Sequence, residues 1–267
     1  MRTRRQRLGQ HFLRDAGVAR AIAGALADLP PAAIEIGPGR GALTRPLLER
    51  FSRVRAVEID PTLAASLARR LGAAGKLEVR QGDALTVDLD EVGADGPWQV
   101  AANLPYGVAT PILRRLLTRP DLFVNLVIMV QREVAHRLVA REGGPERGLL
   151  TLEVEARAEA ELLFDVPPRC FSPPPRVTSS VVRLRPGVLP APPTVVARAL
   201  ALASAAFAHR RKKVANALAG VAPPDEVSAA LADAGVDGAR RPQEIGLDRW
   251  LALATALPQA GPARREP

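Results

Sequence analysis

Five short strand-like runs, separated mostly by segments of helical spacing, fill the first half of the chain, and this alternation most limits its fold. The runs are Ala33–Ile36, Val54–Ile59, Lys76–Arg80, Trp98–Ala102 and Val124–Val130. Helical spacing appears over Ala42–Phe51, Leu63–Leu71, Pro111–Leu117 and Arg132–Ala140. Strands joined through helices are parallel, and their crossovers are right-handed. The alternation therefore predicts a doubly wound, mostly parallel α/β sheet. Beyond Ala140 the pattern changes. Leu150–Val154 and Ser179–Leu184 read as strands with no long helix between them, which predicts an antiparallel edge.

A proline-rich loop lies between those two runs, at Pro167-Pro168 and Pro173-Pro174-Pro175. Pro186–Pro193 reads as a linker. From Thr194 the chain is alanine-rich and helical, with breaks at Pro223-Pro224 and Pro242. The expected organisation is a catalytic α/β domain over 1–190, a smaller all-helical domain over 191–258 and a tail over 259–267.

Charge and cysteine content exclude several function classes. Lys+Arg number 37 against 28 Asp+Glu, a formal charge of +9. A balance this basic points to a polyanionic partner. Lysine occurs only at Lys76, Lys212 and Lys213, so arginine, the side chain suited to bidentate phosphate contact, carries most of the charge. The single cysteine, Cys170, excludes an internal disulfide and a cysteine-cluster metal site, and it fits a reducing compartment. No His/Asp/Glu set has metal-ligand spacing, so no metal is expected. No apolar stretch reaches the roughly 18 residues of a membrane span. The basic start lacks the apolar core of a secretory signal.

Two places carry chemistry. Glu35-Ile36-Gly37-Pro38-Gly39-Arg40-Gly41 ends a strand and opens a helix, where backbone N–H groups and the helix dipole favour a close-lying ligand. The same string fits a nicotinamide fingerprint through Gly37, Gly39 and Ala42. Glu58 at the next strand tip can accept from ribose hydroxyls, and Asp83 at the third tip can accept from an adenine amino group. With Glu35 these shift the expected cofactor to S-adenosylmethionine.

The second place is Asn103-Leu104-Pro105-Tyr106, after the fourth strand. An exocyclic adenine nitrogen is a poor nucleophile because its lone pair is delocalised into the ring. Hydrogen bonds from its N–H groups to the Asn103 amide oxygen and the Leu104 carbonyl would turn that lone pair towards a methyl donor. Tyr106, the only tyrosine, can stack on the base. Phe171 is placed to close over the opposite face, as flipped bases are held.

Taken in order, these blocks resemble the ribosomal RNA adenine dimethyltransferases over about residues 7 to 220. They are Gly9–Leu13, the Glu35–Gly39 turn, Val57–Asp60, Gly82-Asp83, Asn103–Tyr106, Met129–Val134 and Phe171–Arg176 followed by Ser180–Leu184. The chain departs from the common family pattern at His11, Gly107 and Ala156-Arg157. The resemblance implies a Rossmann-like methyltransferase sheet using S-adenosylmethionine, with cofactor contacts at His11, Leu13, Gly37, Glu58, Asp83 and Asn103. It further implies a cytoplasmic monomer that dimethylates two adjacent adenosines in the 3′-terminal hairpin of small-subunit rRNA, acting on the 30S subunit or its precursor.

Arg2, Arg4, Arg5 and Arg7, and the run Arg210-Arg211-Lys212-Lys213 expected in or opening a C-terminal helix, are electrostatic footprints for RNA phosphate. Three rival functions remain at this level. One is a large-subunit rRNA methyltransferase of the macrolide-resistance type. Another is a catalytically silent RNA-binding assembly factor. The third is a nicotinamide dehydrogenase.

Overall fold

All five runs of the first half are strands in a computed structural model that describes residues 11–73 and 75–257. In chain order the strands are β1 (Phe12–Leu13), β2 (Ala32–Ile36), β3 (Arg53–Glu58), β4 (Leu77–Gln81), β5 (Trp98–Asn103), β6 (Phe123–Gln131), β7 (Ala158–Val166), β8 (Phe171–Ser172) and β9 (Ser179–Pro186). The helices are α1 (Ala16–Ala25), α2 (Thr44–Arg50), α3 (Pro61–Leu71), α4 (Leu89–Val92), α5 (Ala109–Leu116), α6 (Arg132–Leu138), α7 (Leu149–Glu155), α8 (Pro193–Phe207), α9 (Val214–Ala217), α10 (Pro224–Asp233) and α11 (Leu247–Ala256). The basic run at residues 2–7 and the tail from 259 lie outside the described residues.

The chain divides into two units. The first holds the residues up to His136 together with Ala158–Gly187. Its main sheet has the order β4-β3-β2-β5-β6-β9-β7. The strands from β4 to β6 are mutually parallel, while β9 runs antiparallel to both β6 and β7. From β2 the chain steps outward to β3 and β4, then returns to place β5 on the other flank of β2. The strand order reverses there, so the carboxyl ends of β2 and β5 bound a crevice of the kind in which open α/β sheets bind ligands.

Local chemistry marks the helix that follows β3. The Asp60 carboxylate accepts from the N–H groups of Thr62 and Leu63 at 2.8 and 3.2 Å, and Pro61 pre-sets the first turn. Gly72, at φ 62°, ends the helix in the left-handed conformation. Asp15 caps α1 in the same way, accepting from Val18 N–H at 3.0 Å.

Two expectations are corrected. Leu150–Val154 is not a strand but the body of α7. A short apolar run fits a buried helix as well as a strand, and here packing decides: Leu152 sits in one core with Ala199, Leu202, Ala203, Trp250 and Leu253. The departure at Ala156-Arg157 thus falls at the end of a helix. The antiparallel partner of β9 is instead β7, whose Ala-Glu-Ala-Glu start shows the period of two that marks a strand.

The second correction is the boundary at 190. The second unit takes in Arg137–Arg157 as well as the residues from Val188. Arg147 staples that excursion. Its side chain is 1% exposed, and Nη1 and Nη2 donate to the two Glu155 carboxylate oxygens at 2.5 and 2.8 Å. The basic run opens a helix rather than lying within one. Arg210, Arg211 and Lys212 occupy the exposed turn after α8, and Lys213 immediately precedes α9. Arg210 Nη2 donates to the Pro145 carbonyl at 2.9 Å, which ties this turn to the loop before α7.

Candidate active site

The crevice at the ends of β2 and β5 is a cleft lined by residues of the glycine turn, the tip of β3, the Asn103–Tyr106 turn and the segment around β1. Gly37 and Gly39 have φ of 70° and 54°, left-handed backbone that side chains rarely adopt. A Cβ on Gly39 would stand 3.0 Å from the Phe12 ring, whereas a Cβ on Gly37 would meet nothing within 4 Å. Gly37 therefore leaves the cleft open to an incoming group, and Gly39 allows Phe12 to close its side.

Glu58 is 2% exposed. Its Oε2 accepts from Gly39 N–H and its Oε1 from Asp60 N–H, each at 2.9 Å. The glycine turn and the strand-tip carboxylate are thus one rigid piece, with each oxygen retaining a lone pair.

Glu35 lies beside it, 2% exposed, with Oε2 lacking any hydrogen-bond partner. Burial pushes its carboxyl from the ordinary 4.5 up to about 8; the Thr44 hydroxyl opposes this, and the nearby Glu58 charge adds to it. Thr44 Oγ1 is itself unpartnered, so its relief comes from proximity rather than a formed bond. A buried, unpartnered carboxyl beside an open glycine cradle fits the polar, hydrogen-bonding amino-acid and ribose parts of S-adenosylmethionine.

Glu35 has a consequence for stability. Because its native pKa is raised, the unfolded chain ionises first as pH climbs. The native state loses stability from about pH 4.5 upward until the folded pKa near 8 is passed. Glu35→Gln is expected to match the wild type in thermal unfolding at pH 4. At pH 8 it should exceed the wild type by on the order of 3 kcal/mol. A gap that stays constant with pH would show that Glu35 is ionised in the fold.

The Asn103–Tyr106 turn forms the opposite wall. Asn103 Nδ2 donates to the His11 carbonyl at 3.2 Å, and no protein donor among the described residues takes its Oδ1. Leu104 N–H donates to Met129 O at 3.1 Å, which fixes the turn on the end of β6. Pro105 O accepts from Val108 N–H at 3.1 Å. The Tyr106 hydroxyl hydrogen-bonds Ser179 Oγ at 2.7 Å. The His11 ring stands 5.7 Å from that of Tyr106, and Nδ1 donates to Pro173 O at 2.8 Å.

The structure brings together His11, Leu13, Gly37, Gly39, Glu58, Asn103, Leu104, Pro105 and Tyr106 in one cleft. It does not bring Asp83 or Phe171 into the wall. Asp83 follows Gly82, whose N–H donates to Glu58 O at 2.9 Å, and its own Oδ1 accepts from Leu85 N–H at 2.9 Å. Phe171 is 2% exposed within the hydrophobic core, and its backbone pairs with Leu13 through the β1–β8 ladder. Core packing, rather than closure over a base, is its place in this structure. Phe12, Arg40 and Ser179 escaped the sequence reading. Arg40 lies over the Phe12 ring at 4.8 Å, a pairing that only the fold reveals.

Comparison with known proteins identifies the family. The family model described as ribosomal RNA adenine dimethylase matches residues 1–258. Among curated relatives, the ribosomal RNA small subunit methyltransferase A of Methylococcus capsulatus is 39% identical over 254 residues, covering 95% of this chain and 97% of that protein. The protein of the same name from Synechococcus sp. (strain RCC307) is 42% identical over 267 residues, covering 96% and 97%. Among solved structures, the 23S rRNA methyltransferase ErmE superposes with a TM-score of 0.72 at 30% identity, covering 92% of this chain and 99% of that one. A Plasmodium falciparum dimethyladenosine transferase superposes with a TM-score of 0.76 at 23% identity, covering 91% and 96%, a likeness of fold. On these matches, the chain belongs to the ribosomal RNA adenine dimethylase family.

Proposed function

We propose that this protein uses S-adenosylmethionine to dimethylate the exocyclic amino groups of two adjacent adenosines in the 3′-terminal hairpin of small-subunit rRNA. It acts as a cytoplasmic monomer on the 30S subunit or its precursor. The observation that carries the chemistry is the Asn103 Oδ1 at the end of β5, which takes no donor among the described residues and lies one residue from the Leu104 carbonyl, across the cleft from the glycine turn.

The cofactor supplies an electrophilic methyl group. Glu58 would hold the ribose, Glu35 and the Gly37–Gly39 backbone would border the amino-acid part, and Asp83 would reach the adenine edge. The Asn103 oxygen and Leu104 carbonyl would accept the two N–H groups of the target amine. The nitrogen lone pair would then point out of the base plane into the cleft. Tyr106 would hold the base by stacking. No strong base is required, because a methylated anilinium-like nitrogen sheds its proton readily.

The preference for the small subunit rests on similarity. Relatives named for it reach 39 and 42% identity, against 30% for ErmE. The deciding assay offers 16S and 23S rRNA, free and in subunits, with labelled cofactor, and analyses the nucleosides by mass spectrometry. Dimethyladenosine in 16S rRNA alone is expected. Label in 23S rRNA alone would establish the resistance-type reaction, and none in either would leave a silent assembly factor.

The exposed basic turn Arg210–Lys213 gives an independent expectation. Its four charges face solvent. RNA affinity should fall steeply with salt, with a log–log slope of about −0.7 to −0.9 per phosphate contact. Replacing these four residues with alanine should flatten that slope. An equal slope in the variant would remove this turn from the interface.

A further inference from the structure

We propose that Ser179 is a positioning residue for the reaction: its hydroxyl fixes the axis of the Tyr106 ring on which the target base stacks. The proposal rests on the reading of the Asn103–Tyr106 turn given above.

Topology makes the contact. The parallel strands end at the cleft, but β9 runs the opposite way, so it begins there. Its first residue, Ser179, pairs with Gln131 at the end of β6 and with Val166 at the end of β7. The turn after β5 crosses the end of β6, pinned by Leu104 N–H on Met129 O, and Tyr106 arrives over the start of β9. Its hydroxyl meets Ser179 Oγ at 2.7 Å.

Ser179 is fully buried, so water does not compete for its hydroxyl. The adjacent Ser180 hydroxyl is committed elsewhere, donating to Asp165 Oδ1 at 2.5 Å. A tyrosine ring attached only at Cβ can tilt; a second attachment at the hydroxyl sets its long axis. The His11 ring, held through Nδ1 on Pro173 O, stands 5.7 Å from the Tyr106 ring and limits the remaining freedom. Burial raises the Tyr106 phenol pKa above 10.0, and the Ser179 bond opposes that rise.

Tyr106 is the only tyrosine in the chain, so phenolate absorbance reports this one ring. Ser179→Ala is expected to move the phenol titration to higher pH, and Ser179→Thr, which keeps the hydroxyl, to restore it. The single-turnover methylation rate should fall about three- to tenfold in Ser179→Ala, the range that one neutral hydrogen bond spans, with the RNA KM little changed. Tyr106→Phe keeps the stacking face and should lose a similar factor. The double variant should be no slower than either single variant. Multiplying effects in the double variant, or a phenol titration that Ser179→Ala leaves in place, would overturn the proposal. If Ser179→Ala fails to fold, Tyr106→Phe decides alone, since a wild-type rate would refute the role of the hydroxyl. The titration needs no RNA, so failure of the substrate assignment would be seen separately, as absence of methylation with the phenol shift intact.

Discussion

Asn103→Ala is expected to slow single-turnover methyl transfer about a hundredfold or more at saturating S-adenosylmethionine, while RNA affinity changes little. The two quantities separate because they depend on different groups. RNA is held by many phosphate contacts, and one neutral hydrogen bond adds little to that sum. The barrier depends on the direction of one lone pair, which the Asn103 oxygen would set. The structure prepares that oxygen by spending the amide nitrogen on the His11 carbonyl at 3.2 Å. The amide therefore does not have to reorient when substrate arrives. Saturating cofactor is needed because Asn103 lines the same cleft as the glycine turn. A single-turnover rate near that of the wild type would reduce the tetrapeptide to a structural turn.

Glu155→Ala is expected to destabilise the helical unit by about 2–4 kcal/mol, measured as the loss in thermal or denaturant unfolding of the full chain. Removing the carboxylate leaves the Arg147 guanidinium at 1% exposure, with its Nε already unpartnered and only a 3.5 Å contact to Ile245 O. Glu155 is itself 34% exposed, so solvent screens part of the loss, which keeps the expectation below that for a wholly buried pair. Replacing both residues, as in Arg147→Met with Glu155→Leu, should recover much of the stability, because the orphaned charge goes with its partner. A Glu155→Ala variant that unfolds like the wild type would show that water reaches Arg147.

Legibility differed between the parallel strands and the rest of the chain. The runs that became β2, β3, β5 and β6 were plain because they are mostly apolar and are punctuated by turn residues such as Gly37 and Pro105. The sites at their tips were legible for the same reason: in a parallel sheet, a residue just after a strand is already at the ligand edge. What failed depended on contacts distant in sequence. Whether Leu150–Val154 coils or extends is decided by a core built from residues some fifty positions later. The strand Ala158–Val166 was overlooked although its alternating Ala and Glu signalled it. Phe171 looked like a cleft residue beside its prolines. Only the pairing of β8 with β1 shows its burial. Ser179 carried no local mark, since its position opposite Tyr106 exists only because β9 enters the sheet in reverse.

The excursion of Arg137–Arg157 into the helical unit also bears on the order in which the chain can mature as it leaves the ribosome. When α7 emerges, Leu152 has none of its eventual neighbours, because α8 and α11 have yet to be synthesised. The strands β7 and β9 are made in the interval and complete the sheet first in sequence. A fragment halted after Pro186 would therefore hold every described strand and the cleft at their ends, yet carry a helix without the C-terminal core that its apolar side joins. Cutting the gene after β9 would not release a self-sufficient module, whereas joining His136 to Ala158 by a short polar linker, with the C-terminal helices removed, is the dissection that the contact pattern permits.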